Sequence, residues 1–433
     1  MESTTGRLGT ESIAVGTVNV DGEGSRWTAS SDVFTGYGGP GVLNITGGGR
    51  VQCNRVYSGA LEASPGSINV SGASVLVAQD RCEVGYQGPG ALSVSGGGLV
   101  QCDSGYVGNF AEGTATIDGA GSRLLCLTDL SVGGDDGTSV LSLTGGGAAR
   151  STNGLIARFS GGTGSVSVSG PGSHWSVFGD LSIGGDFALG RTGGAGSLTV
   201  GPGGALIASR IYLFRDGSLV LNGGTIEATI ISLAILSGGQ FSFLAGVLHA
   251  GLIGPSLVNQ GGTLAPGPGT AFTRIFADYT QQAGTMEIEI GGTVTGTQAD
   301  QVIVDGVASL GGALDVRLIN GFVPAPNMAF VALDAGALTG AFANVAHGDR
   351  LAVPGGGSFV VNYGPASPYG PGIVVLSDFS ACRADFNGDG FLDFFDYDDY
   401  VNCFETGACP PGRTVDFNGD SFADFFDYDD FVT

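Results

Sequence analysis

Lysine is absent from this 433-residue chain, and all sixteen of its basic residues are arginines. Charged residues make up only 13% of the sequence, roughly half of the usual share, and the formal net charge is −24. Because no basic segment is present to neutralise a phosphate backbone, we expect no nucleic-acid partner. The sequence also lacks a run of about twenty apolar residues, so it predicts no transmembrane helix.

Glycine is abundant instead, with 82 residues that do not follow the three-residue period of collagen. Hydrophobic residues make up 42% of the chain, which is enough to bury a core. This composition favours a mainly β protein with many short strands joined by tight turns. The first residues, Met1 to Gly6, do not have the pattern of a signal peptide, and we expect a gene product that is either truncated or wrongly started.

Two acidic segments near the C-terminus share one spacing of oxygen-bearing residues. Each twelve-residue loop has them at positions one, three, five, nine and twelve, and a backbone carbonyl at position seven adds an oxygen. The residues are Asp385, Asn387, Asp389, Phe391, Asp393 and Asp396, then, 31 residues later, Asp416, Asn418, Asp420, Phe422, Asp424 and Asp427. Because alternate residues of a tight turn direct oxygens at one hard cation, the spacing predicts two calcium ions.

These duplicated loops, both ending in Asp, resemble a type I dockerin module over residues 382–433. The resemblance implies two bound calcium ions, a small helical module and docking to a cohesin-like protein, and so a cell-surface anchor. The sequence departs from the family at Ser421, where the second loop lacks the glycine of position six. Without that glycine we expect the second calcium site to be weaker or strained. The sequence also departs at positions ten and eleven, Phe394–Phe395 and Phe425–Phe426, where cohesin-reading dockerins carry small polar residues.

The seven cysteines cannot all form internal pairs, because their number is odd. Four of them lie on the repeats described next and form no zinc-binding pattern; they are Cys53, Cys82, Cys102 and Cys126. We expect these four to be buried thiols, with disulfides between neighbouring rungs as the alternative. The other three could form a disulfide within the calcium module, and they are Cys382, Cys403 and Cys409.

Residues 12–267 contain two short motifs in alternation. The first motif begins at Gly16, Gly66, Gly113 and Gly164, and the second begins at Leu43, Leu92, Leu141 and Leu198. Both motifs alternate apolar with small polar residues and end in a glycine-rich turn, which predicts strands with one buried face. So short a unit cannot bury that face alone, so we expect stacked coils, two for each repeat of about fifty residues.

These repeats resemble the glycine-rich repeats of bacterial autotransporter-type surface proteins. The resemblance implies a right-handed parallel β-helix over residues 12–267. Residues 268–378 contain cleanly alternating segments, and we predict a β-rich cap there, followed by a linker at residues 364–372 that contains three prolines. Residues 379–433 form the calcium module in this division of the chain.

We therefore expect a secreted or cell-surface protein without catalytic activity, in which a β-solenoid acts as a scaffold or adhesin. The alternative is a carbohydrate-active protein, because polysaccharide lyases and hydrolases also use parallel β-helices. Hydrolases need paired carboxylates, whereas the acidic residues of the repeats are scattered along the sequence. Trp175, beside His174, is either an exposed aromatic platform for a sugar or a packed turn residue.

Overall fold

A computed structural model describes residues 1–135, 137–233, 238–267, 269–354, 356–381, 384–387, 393–410, 414–417 and 422–432. The protein is mainly β, with 53% strand and 4% helix, and forms a parallel β-solenoid of about 12 turns. It divides into two compact units: Met1–Pro268 with Thr273–Gly284, and Gly269–Phe272 with Thr285–Thr433. The predicted fold class is therefore confirmed.

Each coil of the first unit contributes one strand to each of three parallel sheets. The first sheet contains Glu2–Ser3, Arg26–Ala29, Arg50–Cys53, Val75–Ala78, Leu99–Cys102, Arg123–Cys126 and Ala148–Ser151. The second contains Gly6–Leu8, Val33–Thr35, Val56–Ser58, Arg81–Val84, Ser104–Val107, Asp129–Val132 and Asn153–Ile156. The third contains Gly16–Asp21, Gly41–Thr46, Gly66–Ser71, Gly90–Ser95, Gly113–Asp118, Thr138–Thr144, Thr163–Val168 and Ala195–Val200.

Later coils merge neighbouring strands into longer ones, which are His174–Ile183, Ala205–Leu213, Gly217–Leu233 and Gln240–Ile253. A short antiparallel hairpin, Gly185–Asp186 with Arg191–Thr192, projects from one coil. The remaining strands before the second unit are Leu257–Asn259, Thr263–Leu264, Phe272–Ile275 and Tyr279–Gln281.

The two sequence motifs occupy the same place in successive coils. Gly16 pairs with Gly41, and Gly41 pairs with Gly66, so one coil takes 25 residues here. The strands that begin the two motifs are thus stacked neighbours in the third sheet, and a fifty-residue repeat is two coils, as predicted. Inward-facing residues at equivalent positions of successive coils, such as Leu43 and Ile68, are fully buried and form the core.

The second unit changes from parallel to antiparallel pairing along its length. Its strands are Thr285–Ile290, Gln301–Leu310, Ala313–Leu318, Phe330–Gly340, Arg350–Ala352, Ser358–Asn362 and Ile373–Ser380. The first four pair in parallel, and the last three join the sheet antiparallel. Residues 364–372 connect two of these antiparallel neighbours, so the prediction of a linker there is wrong: strand pairing continues on both sides of the prolines.

Candidate metal centre and binding faces of the solenoid

Two short helices follow the two acidic loops: α1, Phe394–Thr406, and α2, Phe425–Val432. Asp393 is the N-cap of α1, and its carboxylate accepts a hydrogen bond from the backbone N–H of Phe395 at 2.8 Å. Asp424 does the same for Phe426 at 2.9 Å. Each cap satisfies a backbone donor that the first helical turn leaves unpaired, so position nine of each loop starts its helix.

The carboxylate at position twelve closes each loop from inside. Asp396 accepts hydrogen bonds from the backbone N–H groups of Asn387 at 3.1 Å and Asp393 at 3.0 Å. Asp427 accepts from Phe417 at 2.7 Å and Asp424 at 2.9 Å. Both carboxylates are buried. In both loops the position-twelve carboxylate therefore joins the position-nine backbone to the start of the loop, through position three in the first loop and position two in the second.

Aromatic side chains from both repeats form the core of this module. The rings of Tyr400 and Phe431 stack at 4.1 Å, and Phe386 meets Tyr400 edge-on at 5.2 Å. The equivalent residues Tyr397 and Tyr428 share a hydrogen bond of 2.9 Å between their hydroxyls. Equivalent positions of the two repeats are thus in direct contact, which pairs the two loop–helix units.

The cysteines behave as two groups. Cys403, in α1, forms a disulfide with Cys409, as predicted for the module. Cys53, Cys82, Cys102 and Cys126 are buried free thiols, the expected state. Burial raises the pKa of Cys53 to about 12, which keeps that thiol protonated.

The predicted calcium ligands are only partly within the described residues. Asp385, Asn387, Asp393, Asp396, Asp416, Phe422, Asp424 and Asp427 are described, whereas Asp389, Phe391, Asn418 and Asp420 lie outside the described residues, as does Ser421. In the described part of the chain, no group of three or more His, Cys, Asp or Glu side chains is arranged to hold a metal ion. The donor set nevertheless fits calcium, because all its predicted side-chain donors are oxygens and three of the carboxylates, Asp385, Asp396 and Asp427, are buried.

Two pairs of phenylalanines at the helix starts are exposed. Phe394 and Phe395 are 70% and 65% exposed, and Phe425 and Phe426 are 70% and 69% exposed. These are the residues at positions ten and eleven of the loops, one pair from each repeat. Four exposed large apolar side chains in so small a module are typical of a protein-binding surface.

The outer surface of the third sheet is polar and largely uncharged, with Asp21 and Asp118 at strand ends. Asn44 donates to Asn19 at 2.7 Å, and Asn69 donates to Asn44 at 2.8 Å, so the amides form a ladder across three coils. Serine and threonine continue the same column at Ser93, Thr116, Ser142 and Ser167. This composition is the one expected of a scaffold.

The outer surface of the second sheet is different, and sequence reasoning missed it. Arg55 pairs with Asp80 at 2.6 Å, and Arg81 lies 3.6 Å from the buried carboxylate of Glu83. Burial raises the pKa of Glu83, while hydrogen bonds from Asn109 and the charge of Arg81 oppose that shift. Residues that look scattered in sequence meet here because each lies about one coil from the next.

The same surface continues toward the projecting hairpin. A cavity of about 190 Å³ is lined by Asp129, Asn153, Arg158, Asp180 and Asp186, among others. Two of its carboxylates form ion pairs: Asp180 with Arg210 at 2.6 Å, and Asp186 with Arg158 at 2.7 Å. The charges on this surface are thus largely neutralised internally.

Both tryptophans are core residues. Trp27 and Trp175 are 3% and 0% exposed, and their indole N–H groups donate to Ser3 at 3.0 Å and Ser151 at 3.2 Å. Trp175 is therefore not an exposed platform for a sugar. It packs inside the coil, as the competing interpretation expected.

Comparison with protein-family models, with curated proteins and with solved structures finds no match for this chain. The resemblance of residues 382–433 to dockerins therefore rests on the spacing of the loops alone. Among the described helices, none is long and apolar enough to cross a membrane. The structure establishes a parallel β-solenoid with a short C-terminal helical region.

Proposed function

We propose that this protein is a non-catalytic extracellular scaffold whose C-terminal module docks to a partner protein when calcium is bound. The observation that carries the proposal is the duplicated loop–helix unit with buried position-twelve carboxylates. Asp396 and Asp427 each close a loop whose remaining predicted ligands are oxygens. In this proposal, two ions hold the loops and thereby fix the helices that carry the exposed phenylalanines.

The partner suited to this module presents an apolar patch with basic residues around it. Residues 381–433 contain thirteen Asp or Glu residues and two Arg, a formal net charge of −11 before calcium binds. Two calcium ions would reduce this to about −7, which leaves attraction to a basic rim. The phenylalanine pairs supply the apolar contact area that a stable complex needs. A cohesin-like protein is the partner class that the loop spacing suggests.

Isothermal titration of calcium into the full chain tests the metal site. We expect two ions per chain for the wild type and loss of both in the variant Asp385→Ala/Asp416→Ala. A matched control is Asp398→Ala/Glu405→Ala, which removes two exposed carboxylates of α1 that lie outside the ligand positions. It should bind two ions with an affinity within about threefold of the wild type, because only long-range attraction is lost.

Binding of no calcium at millimolar concentration would overturn the proposal, as would equal losses in both double variants.

Docking is tested separately with the variant Phe394→Ser/Phe425→Ser. This change should leave calcium binding intact, since neither side chain is a predicted ligand, and should weaken capture of a calcium-dependent partner. If capture is unaffected, these phenylalanines are not the docking surface.

The competing function is degradation of a polysaccharide at the cavity beside the hairpin. Asp129, Asp180 and Asp186 line this cavity, which favours the idea, because glycoside hydrolases use paired carboxylates. Asp180 and Asp186 are engaged in ion pairs with arginines, however, and this favours a structural role. Hydrolysis that is lost in Asp180→Asn would establish the competing function.

A further inference from the structure

The outer surface of the first sheet gathers two arginines and a histidine from three successive coils. Arg123 pairs in register with Ala148, and Ala148 pairs with His174. Arg150 stands in the neighbouring column, in register with Ser176. Because parallel strands are about 4.8 Å apart, these groups lie close together on successive coils of one sheet.

These side chains line a concave site with an apolar part. The cavity measures about 400 Å³ and is lined by Leu99, Arg123, Leu125, Arg150, His174 and Phe178, with their strand neighbours. The Phe178 ring is 57% exposed, and the Arg150 guanidinium lies 4.5 Å from its centroid. We call this cavity the first-sheet pocket. It combines cations with an accessible aromatic ring.

The arginines of the first-sheet pocket differ from those of the second sheet in their partners. On the second sheet, Arg55, Arg158 and Arg210 are each within 2.7 Å of a carboxylate. In the described part of the chain, Arg123, Arg150 and His174 form no ion pair with a carboxylate. In a chain of net charge −24, two such guanidinium groups beside one cavity form a local positive site that suits an anion.

We propose that the first-sheet pocket binds an anionic sugar residue of an acidic polysaccharide. The guanidinium groups of Arg123 and Arg150 suit a carboxylate or sulfate, which they can hold with paired hydrogen bonds. The Phe178 ring and the leucines suit the apolar face of a pyranose. The spacing of the coils is close to the length of one sugar in an extended chain, so successive residues can meet successive levels.

This inference concerns the solenoid and does not depend on calcium binding by the C-terminal module. The rival occupant is the acidic module of a second copy, since its net charge of −11 also complements the pocket. A concave cavity of about 400 Å³ lined by an exposed aromatic ring fits a sugar better than a helical surface does. The rival is therefore an outcome of the test.

The experiment measures binding of the full chain to polygalacturonate and to neutral galactan, in chelator, at 50 and 200 mM salt. We expect binding to polygalacturonate only, weakened at the higher salt. Arg123→Ala/Arg150→Ala should lower the affinity at least tenfold. Phe178→Ala should lower it about threefold to tenfold, although it removes no charge. Thermal unfolding curves establish that each variant is folded.

The matched control is Arg191→Ala/Arg215→Ala, which removes two exposed arginines of the solenoid away from the pocket. It should change the affinity less than twofold. Equal losses in the two double variants would mean general charge attraction and would overturn the proposal, as would equal binding of galactan or no binding of polygalacturonate. Self-association that disappears both in Arg123→Ala/Arg150→Ala and after removal of residues 381–433 would assign the pocket to the acidic module instead.

Discussion

Asp300 is a buried carboxyl group in the second unit whose ionisation opposes folding. Its side chain is 3% exposed and accepts hydrogen bonds from the backbone N–H groups of Ala271 at 2.7 Å and Glu289 at 2.9 Å. Burial raises the pKa of Asp300 from 3.8 to about 7, and the charges of Glu289 and Glu287 add to the shift. The folded state therefore retains a proton that the unfolded chain releases at lower pH.

The stability of the second unit should fall as pH rises from about 4 to about 7, since the folded state binds more protons over this window. The difference between the two pKa values corresponds to at most about 4 kcal/mol. Asp300→Asn, which cannot ionise, should flatten this dependence in urea unfolding at pH 5 and pH 8. The exposed Asp334→Asn is the control and should retain the wild-type slope. An unchanged slope in Asp300→Asn would contradict the assignment.

At the scale of the coil, three serines explain why the sequence repeats every two coils. The hydroxyls of Ser74, Ser122 and Ser173 accept hydrogen bonds from Gly48, Gly97 and Gly146 in the preceding coil, at 3.1, 3.2 and 3.0 Å. All three serines are buried. Each Ser-ending turn thus accepts a hydrogen bond from a three-glycine turn of the preceding coil. Two stacked turns of the same type could not form this hydrogen bond.

The fifty-residue period and the stacking of short strands could be predicted from sequence, because the apolar alternation and the glycine turns are local patterns. The interlocking of the two turn types could not, since the bond joins residues about 25 positions apart. The same distance explains why the grouping of Arg55 with Asp80 on one surface was missed. The proposed calcium loops could be predicted residue by residue, because all their predicted ligands lie within twelve consecutive positions.

The loss of stability caused by deleting coils should therefore depend on whether one coil or two are removed. Removing residues 50–98, two coils, brings Ser122 against Gly48 and preserves the alternation. Removing residues 75–98, one coil, places Ser122 against a turn of its own type and leaves its bond to Gly97 without a replacement. We expect a lower unfolding midpoint for the one-coil deletion, although it removes fewer residues, because solenoid stability is approximately a sum over neighbouring coils.

Single substitutions measure how much one of these serine hydrogen bonds contributes to stability. Ser122→Ala in the full chain removes the buried acceptor of Gly97 and should cost about 1–3 kcal/mol in urea unfolding. Ser93→Ala, at an exposed outward position of the third sheet, should cost less than about 0.5 kcal/mol. If the two-coil deletion is the less stable one, the alternation of turns is not what couples the coils.

At the scale of the whole molecule, acidic charge is concentrated at one end of the sequence. Residues 381–433 carry a formal net charge of −11, whereas the other 380 residues together carry −13. The predicted calcium ligands all lie in the short segment, and the solenoid depends on buried aliphatic stacks and strand pairing. The sequence predicted this compositional division, but the first-sheet pocket emerged only when the coils placed distant arginines together.

Calcium should therefore affect the two parts of the chain unequally during thermal unfolding. A ligand that binds only the folded module stabilises it by about 2.7 kcal/mol at one hundred times its dissociation constant. We expect calcium to raise the midpoint of the helical circular-dichroism signal of α1 and α2 and to leave the strand signal unchanged within about 2 °C. The variant Asp385→Ala/Asp416→Ala should lose the helical shift and retain the strand midpoint. A calcium-dependent strand midpoint in that variant would mean that the solenoid itself binds calcium, and it would contradict the placement of the ions in the C-terminal loops.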